Sequence, residues 1–388
     1  MNILPTICVA GLVGLLGAGC ATSPPLPPPP ISDLFSDDTV RPPSQPVTAA
    51  GLFDLSPAMK AHLDTEHFRR EVRLKGPELG LTDALYAKDG LQLTYDNTAT
   101  RDAAETFTSK RGNCLSLVIM TAAFAKALKL NVMYHDVLID TEWSRAGGIY
   151  VGSNHVNLSL ATSEAANFDL FKSSNRITVD FMPPAQAAKQ RTVNISENMI
   201  TAMYLNNRAA EELFERRLDD AYWWARAAVR QDPNLSTALN TLGAVYQRRG
   251  QHLMAERVFK RALQRQPEDV MLMKNLVPVL HDLGKHDESR ALAARAARLE
   301  PEPPFYHFQL GMQALLAENY AEAKKRFARE VKRSPFDHEM RYWLSIAHLR
   351  LGEQHAARKE MAIALENSTS AAATERYSAK LAHLRALR

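Results

Sequence analysis

The sequence predicts an α+β domain followed by an all-α solenoid of helical repeats, and three observations carry that expectation. Pro233, Pro267, Pro301 and Pro335 stand 34 residues apart without drift. Upstream, the apolar pattern changes from helical over residues 57–130 to strand-like over 131–182. Residues 23–50, ahead of both, are dense in proline.

Composition bounds the rest. The 388 residues are enough for two domains, and 46% hydrophobic with 23% charged residues is ordinary for a soluble chain. A formal charge of +4 does not call for a nucleic-acid partner. Residues 1–199 carry 17 Lys/Arg against 20 Asp/Glu, and residues 200–388 carry 30 against 23. This mild basic bias reads as a solvated face. Cys8, Cys20 and Cys114 are the three cysteines, and they do not make a disulfide framework.

Residues 3–19 form an apolar, small-residue run ending just before Cys20, too short and glycine-rich for a comfortable membrane span. The run resembles a bacterial lipoprotein signal. That resemblance implies a signal peptide over 1–19, a lipid on Cys20, and, with Ala21 next, an outer-membrane anchor facing the periplasm. The alternative is ordinary cleavage near Ala21 with loss of Cys20. Residues 20–50 then read as the lipidated cysteine and a stiff, extended, proline-rich tether that packs no core.

The first domain is expected over 51–195. Ser56-Pro57 opens a helix over 58–74, Lys75-Gly76-Pro77 ends it, and Leu79 to Ala87 makes a short second helix. Residues 91–95 alternate and read as extended, and Thr100 to Lys110 as helical. Gly112-Asn113 breaks the chain before a helix over 114–130. Strands follow at Asn131–Asp140, Ile149–Val151, His155–Leu160 and Arg176–Met182. Helices followed by a small antiparallel sheet make an α+β layout.

A thiol at a helix N-terminus feels the positive end of the dipole, which favours thiolate. The same backbone N–H groups can hold an oxyanion. Cys114 occupies such a place and needs a base, and the base needs an orienting acid. If strands 155–160 and 176–182 pair as a hairpin, His155 falls opposite residue 181, beside Asp180, within hydrogen-bond reach across strands roughly 4.8 Å apart. Asp169, nearer the turn, is the reserve for the third position.

Gly112-Asn113-Cys114-Leu115-Ser116 opening a helix, with Asn154-His155-Val156 and Val179-Asp180-Phe181 on successive strands, resembles the transglutaminase-like (papain-like cysteine) superfamily over about residues 90–185. The resemblance implies a catalytic Cys114, His155 and Asp180, with no cofactor and no metal. The chemistry it implies is attack on an amide carbonyl followed by transfer to water (peptidase or amidase) or to an amine, with hydrolysis favoured.

The second domain is expected over 200–371. Besides the prolines, Ala221, Ala255, Ala323 and Ala357 keep the 34-residue period, as do Ala228, Ala262, Ala296 and Ala364, and Gly250, Gly284 and Gly352. Block 236–269, with Leu242-Gly243, Tyr246, Ala255, Phe259, Ala262 and Pro267, is the tetratricopeptide (TPR) pattern, and block 304–337 repeats it. About five repeats are expected, closed by a capping helix over 372–388. Such arrays present a groove to a peptide or protein partner, with Trp223-Trp224 as candidate docking residues. His62/His67 and His281/His286 are five apart, on different helix faces, and make no metal site. The rival to an enzyme is a non-catalytic envelope scaffold whose TPR groove recruits partners and whose cysteine domain is a fold remnant.

Overall fold

The computed structural model describes residues 30–87, 90–96, 99–146, 149–162, 176–181, 191–302, 305–335, 337–368 and 371–386. The signal run over 1–19, the lipidation candidate Cys20 and the reserve acid Asp169 lie outside the described residues.

Side-chain caps set the early helices. Ser56 accepts the Met59 N–H at 3.2 Å and opens α1 (Pro57–Leu63). The single helix expected over 58–74 is in fact two. Thr65 donates to the His62 carbonyl at 2.8 Å and accepts the Phe68 N–H at 3.3 Å, so one hydroxyl closes α1 and opens α2 (Glu66–Lys75). Gly76, at φ +81°, turns the chain into α3 (Pro77–Tyr86). β1 (Thr94–Tyr95) pairs in parallel with β2 (Arg111–Gly112), and α4 (Ala103–Ser109) lies between them behind an Asp102–Glu105 capping box.

α5 (Cys114–Ala127) is apolar on every side, and its residues from Cys114 to Ala125 are all buried. Around it stands one antiparallel sheet in the order β5-β4-β3-β6. Its members are β3 (Asn131–Ala146), β4 (Ile149–Ala161), β5 (Ile177–Val179) and β6 (Arg191–Ile195). The two short strands expected within 149–160 are one, because β3 runs on to Ala146 and stays paired through a register shift between Val137 and Glu142. β6 goes unmarked in the sequence: it is only five residues long, and four of them are exposed.

The expectation of an extended tether up to residue 50 is corrected for residues 31–50. Two 3₁₀ turns, Ile31–Leu34 and Asp37–Thr39, fold this arm onto the first repeats. Leu34 is fully buried, and its carbonyl accepts the Tyr246 hydroxyl at 2.9 Å. Asp37 accepts from the Tyr222 hydroxyl at 2.6 Å and pairs with Arg226 at 2.7 Å. Trp223 donates to the Arg41 carbonyl at 2.6 Å. The physical reason lies in the eleven residues between Pro30 and Pro42. Ile31, Leu34, Phe35 and Val40 supply apolar surface, Asp33 and Asp37 meet arginines, and that stretch contains no proline.

The C-terminal half is built from helix pairs: α6 (Glu197–Phe214) with α7 (Leu218–Gln231), and α8 (Ser236–Arg248) with α9 (His252–Arg265). These continue as α10 (Val270–Asp282) with α11 (His286–Leu299), α12 (Tyr306–Leu316) with α13 (Tyr320–Arg333), and α14 (His338–Arg350) with α15 (Gln354–Glu366). α16 (Ala371–Ala386) packs on the last pair, where Tyr377 stacks on Tyr342 and its hydroxyl meets His338 Nδ1 at 2.9 Å. Volume is traded within pairs. A Cβ at Gly243 or Gly311 would lie 2.6 Å from the Phe259 or Phe327 ring, so each glycine is the seat of an aromatic from its partner helix. The turn inside each pair uses a left-handed residue at the same period: Arg216, Gly250, Gly284, Glu318 and Gly352, at φ between +57° and +76°.

The buried core crosses from the first domain into the repeats without interruption, from Leu34 to Leu280, while the later repeats form two smaller cores. β4 packs against α8 and α10, and β3 against α6. The cleft of about 240 Å³ at this junction is lined by Asp136, Ile195, Met203, Asn240, Asp269 and Leu272. Because the arm is part of the continuous core, Leu34→Ala is expected to cost about 2–4 kcal/mol of stability, read from urea unfolding. The same change should open residues 31–50 to limited proteolysis.

Candidate active site

The loop before α5 is built to present its first residue. Asn113 accepts the Ser116 N–H and the Ser116 hydroxyl, both at 2.9 Å. Its amide donates to the Thr100 hydroxyl at 2.8 Å, and Ser116 Oγ in turn accepts the Arg101 N–H at 2.8 Å. Gly112 is required for space, since a Cβ there would lie 2.8 Å from the Ser116 Cβ and 3.2 Å from the Thr106 methyl. The Gly-Asn break that marks the helix start is therefore a packed, fully bonded turn. Cys114 sits at the first position of α5 and is 8% exposed.

Strand register delivers the other two residues. Leu158 pairs with Val179, which carries Asp180 across from Asn157 and leaves His155 one diagonal away. Extended to His155, this register differs by one residue from the hairpin arithmetic of the sequence, and the diagonal still spans the gap. His155 Nε2 lies 2.7 Å from Asp180 Oδ1, and the Asn157 amide donates to Asp180 Oδ2 at 2.7 Å. The Cys114 side chain lies near enough to His155 to favour the charged imidazole. With Nε2 committed to Asp180, Nδ1 is the nitrogen open to the sulfur. The structure thus brings Cys114, His155 and Asp180 together, with His155 hydrogen-bonded to Asp180.

Electrostatics favour a charged imidazole. Burial opposes the charge on His155, but the Asp180 carboxylate and the Cys114 sulfur outweigh it and push the pKa up to about 10 from 6.5. The His155 and Asp180 side chains are 10% and 12% exposed, so water screens their pairing weakly.

Asn157 is the neighbour of Asp180 that sequence reasoning missed. It stands two residues from His155 on an alternating strand, so the spacing alone could have nominated it. The same face continues as a polar ladder: His135 Nε2 meets Ser159 Oγ at 2.8 Å, and Ser159 Oγ meets Thr178 Oγ1 at 2.9 Å. Of the paired tryptophans, Trp223 holds the arm while Trp224 is buried beneath the Arg208 guanidinium at 5.3 Å. His62 lies among the rings of Phe68, Phe107 and Phe124. No group of three or more His, Cys, Asp or Glu among the described residues could hold a metal ion.

Residues 240–304 and 308–372 match the tetratricopeptide repeat family model. This part of the chain carries TPR repeats. Similar solved structures include YrrB, described as a TPR protein with an unusual peptide-binding site, at 21% identity over 46% of this chain and 91% of that one, TM-score 0.25. A thermophilic TPR protein of Thermus thermophilus is 19% identical over 46% of this chain and 98% of that one, TM-score 0.31. No curated protein matches the chain.

The His155 shift makes a pH prediction. A group whose pKa rises on folding adds stability that is complete below about 6.5 and disappears as pH climbs through about 10. Melting temperature should therefore fall between pH 7 and pH 10, and fall less in Asp180→Asn. Equal slopes in the two proteins would show that the pair does not hold this proton.

Proposed function

We propose that this chain is an exported, lipid-anchored cysteine enzyme of transglutaminase-like type whose TPR array binds a protein partner or substrate. The observation that carries the catalytic part is the His155–Asp180 hydrogen bond set beside Cys114 at the start of α5. TPR arrays mediate protein interaction, and the family match over residues 240–372 supports that role for the repeats.

The reaction follows from the roles. The Cys114 sulfur attacks an amide carbonyl and the carbonyl π electrons move to oxygen, next to the N–H groups that begin α5. Collapse of the tetrahedral intermediate breaks the C–N bond. The imidazolium of His155 gives its proton to the leaving nitrogen, and a thioester remains on Cys114. His155, now neutral, takes a proton from water as the water attacks the thioester. Acid product leaves and sulfur is restored beside a charged imidazole. Asp180 keeps the ring oriented throughout, and Asn157 holds Asp180. An amine could replace water in the second half, and hydrolysis is the favoured outcome.

Iodoacetamide should alkylate Cys114 at neutral pH at least tenfold faster than a free thiol, and His155→Ala should remove most of that advantage. Labelling at the free-thiol rate in the unaltered protein would instead support the non-catalytic scaffold.

For the N-terminus, the apolar run over 3–19 ending before Cys20 supports lipidation, and Ala21 after the cysteine supports an outer-membrane position facing the periplasm. Metabolic labelling with an alkyne palmitate in a Gram-negative host should mark the protein, and Cys20→Ala should abolish the label and release the chain from the membrane fraction. Retained label in that variant would discard the anchor.

A further inference from the structure

The first repeat helix reaches the cysteine loop through a residue that the catalytic line does not contain. Glu211, on α6, accepts the Thr100 N–H on Oε1 at 2.6 Å. Thr100 Oγ1 accepts the Asn113 amide, and Asn113 caps the helix that begins with Cys114. Arg208, one turn earlier on α6, donates to the Thr100 carbonyl at 3.5 Å and lies 3.5 Å from Glu211 Oε2. Its guanidinium rests on the buried Trp224 of α7. Both backbone polar groups of Thr100 are therefore gripped by the first helix pair of the repeats. The Glu211 carboxyl is itself largely buried, and burial raises its pKa above the usual carboxylate range.

We infer that Glu211 is a positioning residue for Cys114: the first repeat helix fixes Thr100, Thr100 fixes Asn113, and Asn113 sets the sulfur against His155. This rests on the catalytic reading above for its consequence in reactivity, but not for its geometry. Hydrogen bonds to a charged acceptor are short and strongly directional, so a carboxylate here constrains the loop more than a neutral acceptor or water would. If the Thr100 N–H loses its acceptor, the 99–101 loop can shift. Asn113 then loses its second anchor and the first turn of α5 can fray away from His155. Repeats and cysteine domain would then be one catalytic unit, with repeat residues completing a site that the first domain presents.

The test uses the full chain with Glu211→Gln and Glu211→Ala. Gln keeps an oxygen at the Oε1 position, whereas Ala leaves the Thr100 N–H without it. Two readouts are taken on each protein: the iodoacetamide rate at the Cys114 peptide by mass spectrometry from pH 5 to 9, and the His155 imidazole titration by NMR. Glu211→Ala is expected to slow labelling at pH 7 at least tenfold and to move the profile toward that of a free thiol. It should also bring the His155 titration down by a unit or more from its raised position. Glu211→Gln should stay within about threefold and keep the His155 value. Should Glu211→Ala fail to fold, Thr100→Val breaks the same relay at the hydroxyl while keeping the backbone bond to Glu211, and the same two changes are expected. A profile and a His155 titration unchanged in folded Glu211→Ala, or in Thr100→Val, overturn the positioning role. Ordinary thiol reactivity in the unaltered protein, with a raised His155 that falls in Glu211→Ala, overturns the catalytic reading and leaves the positioning role standing.

Discussion

The side chain of Asn113 is the joint on which the rest of the candidate site depends. One oxygen caps α5 and receives the Ser116 hydroxyl, and one nitrogen holds Thr100. The helix it starts is apolar on every face and is buried along most of its length. Such a helix cannot expose a side for the sake of a reactive residue, so its only polar outlet is its end. Placing the sulfur there sets it at the one point where this dry helix meets polar groups. It also explains Gly112, which lets the entering strand pass close to Ser116 and Thr106.

The repeats solve a different problem with the same economy of space. Each helix pair must bury a face against its own partner and against the next pair. The sequence meets this by exchanging volume rather than by holding it constant, as Gly243 with Phe259 and Gly311 with Phe327 show. Where the glycine becomes Ser345, its hydroxyl is buried and donates to the Ala357 carbonyl of the partner helix at 2.7 Å. Left-handed turns recur on the same period whether the residue is glycine, Arg216 or Glu318. The turn is therefore imposed by the packing of the helices it joins, and glycine only lowers its cost.

How much of this was legible in the sequence follows the range of each interaction. The repeats were plain because they are local and periodic. The helix start at Cys114 was legible because a glycine, an Asn cap and an apolar run are neighbours in the chain. The meeting of His155 with Asp180 could be argued from hairpin arithmetic, since both strands lie within one connection. By contrast, the bond between Thr100 and Glu211 spans 111 residues, and the bond between Ser36 and Tyr222 spans 186. No pattern within a window signals either. The arm was misjudged for a related reason. Its prolines describe the flanks, and the short apolar stretch between them finds its partner only in the folded repeats.

Docking of the arm sets a limit on reach. In a chain lipidated at Cys20, ten Cα–Cα steps lead from the anchor to Pro30. Fully extended they span at most roughly 35 Å. The flank made by α7 and α9, to which the arm is bound, would then be held within that distance of the bilayer surface. Any protein recognised by the repeats would be met in a thin layer next to the membrane, with the orientation of the repeats restricted by the same leash. Undocking residues 31–44 would more than double that leash, so in such a chain the docking of one short segment would set how far from the membrane the repeats could reach.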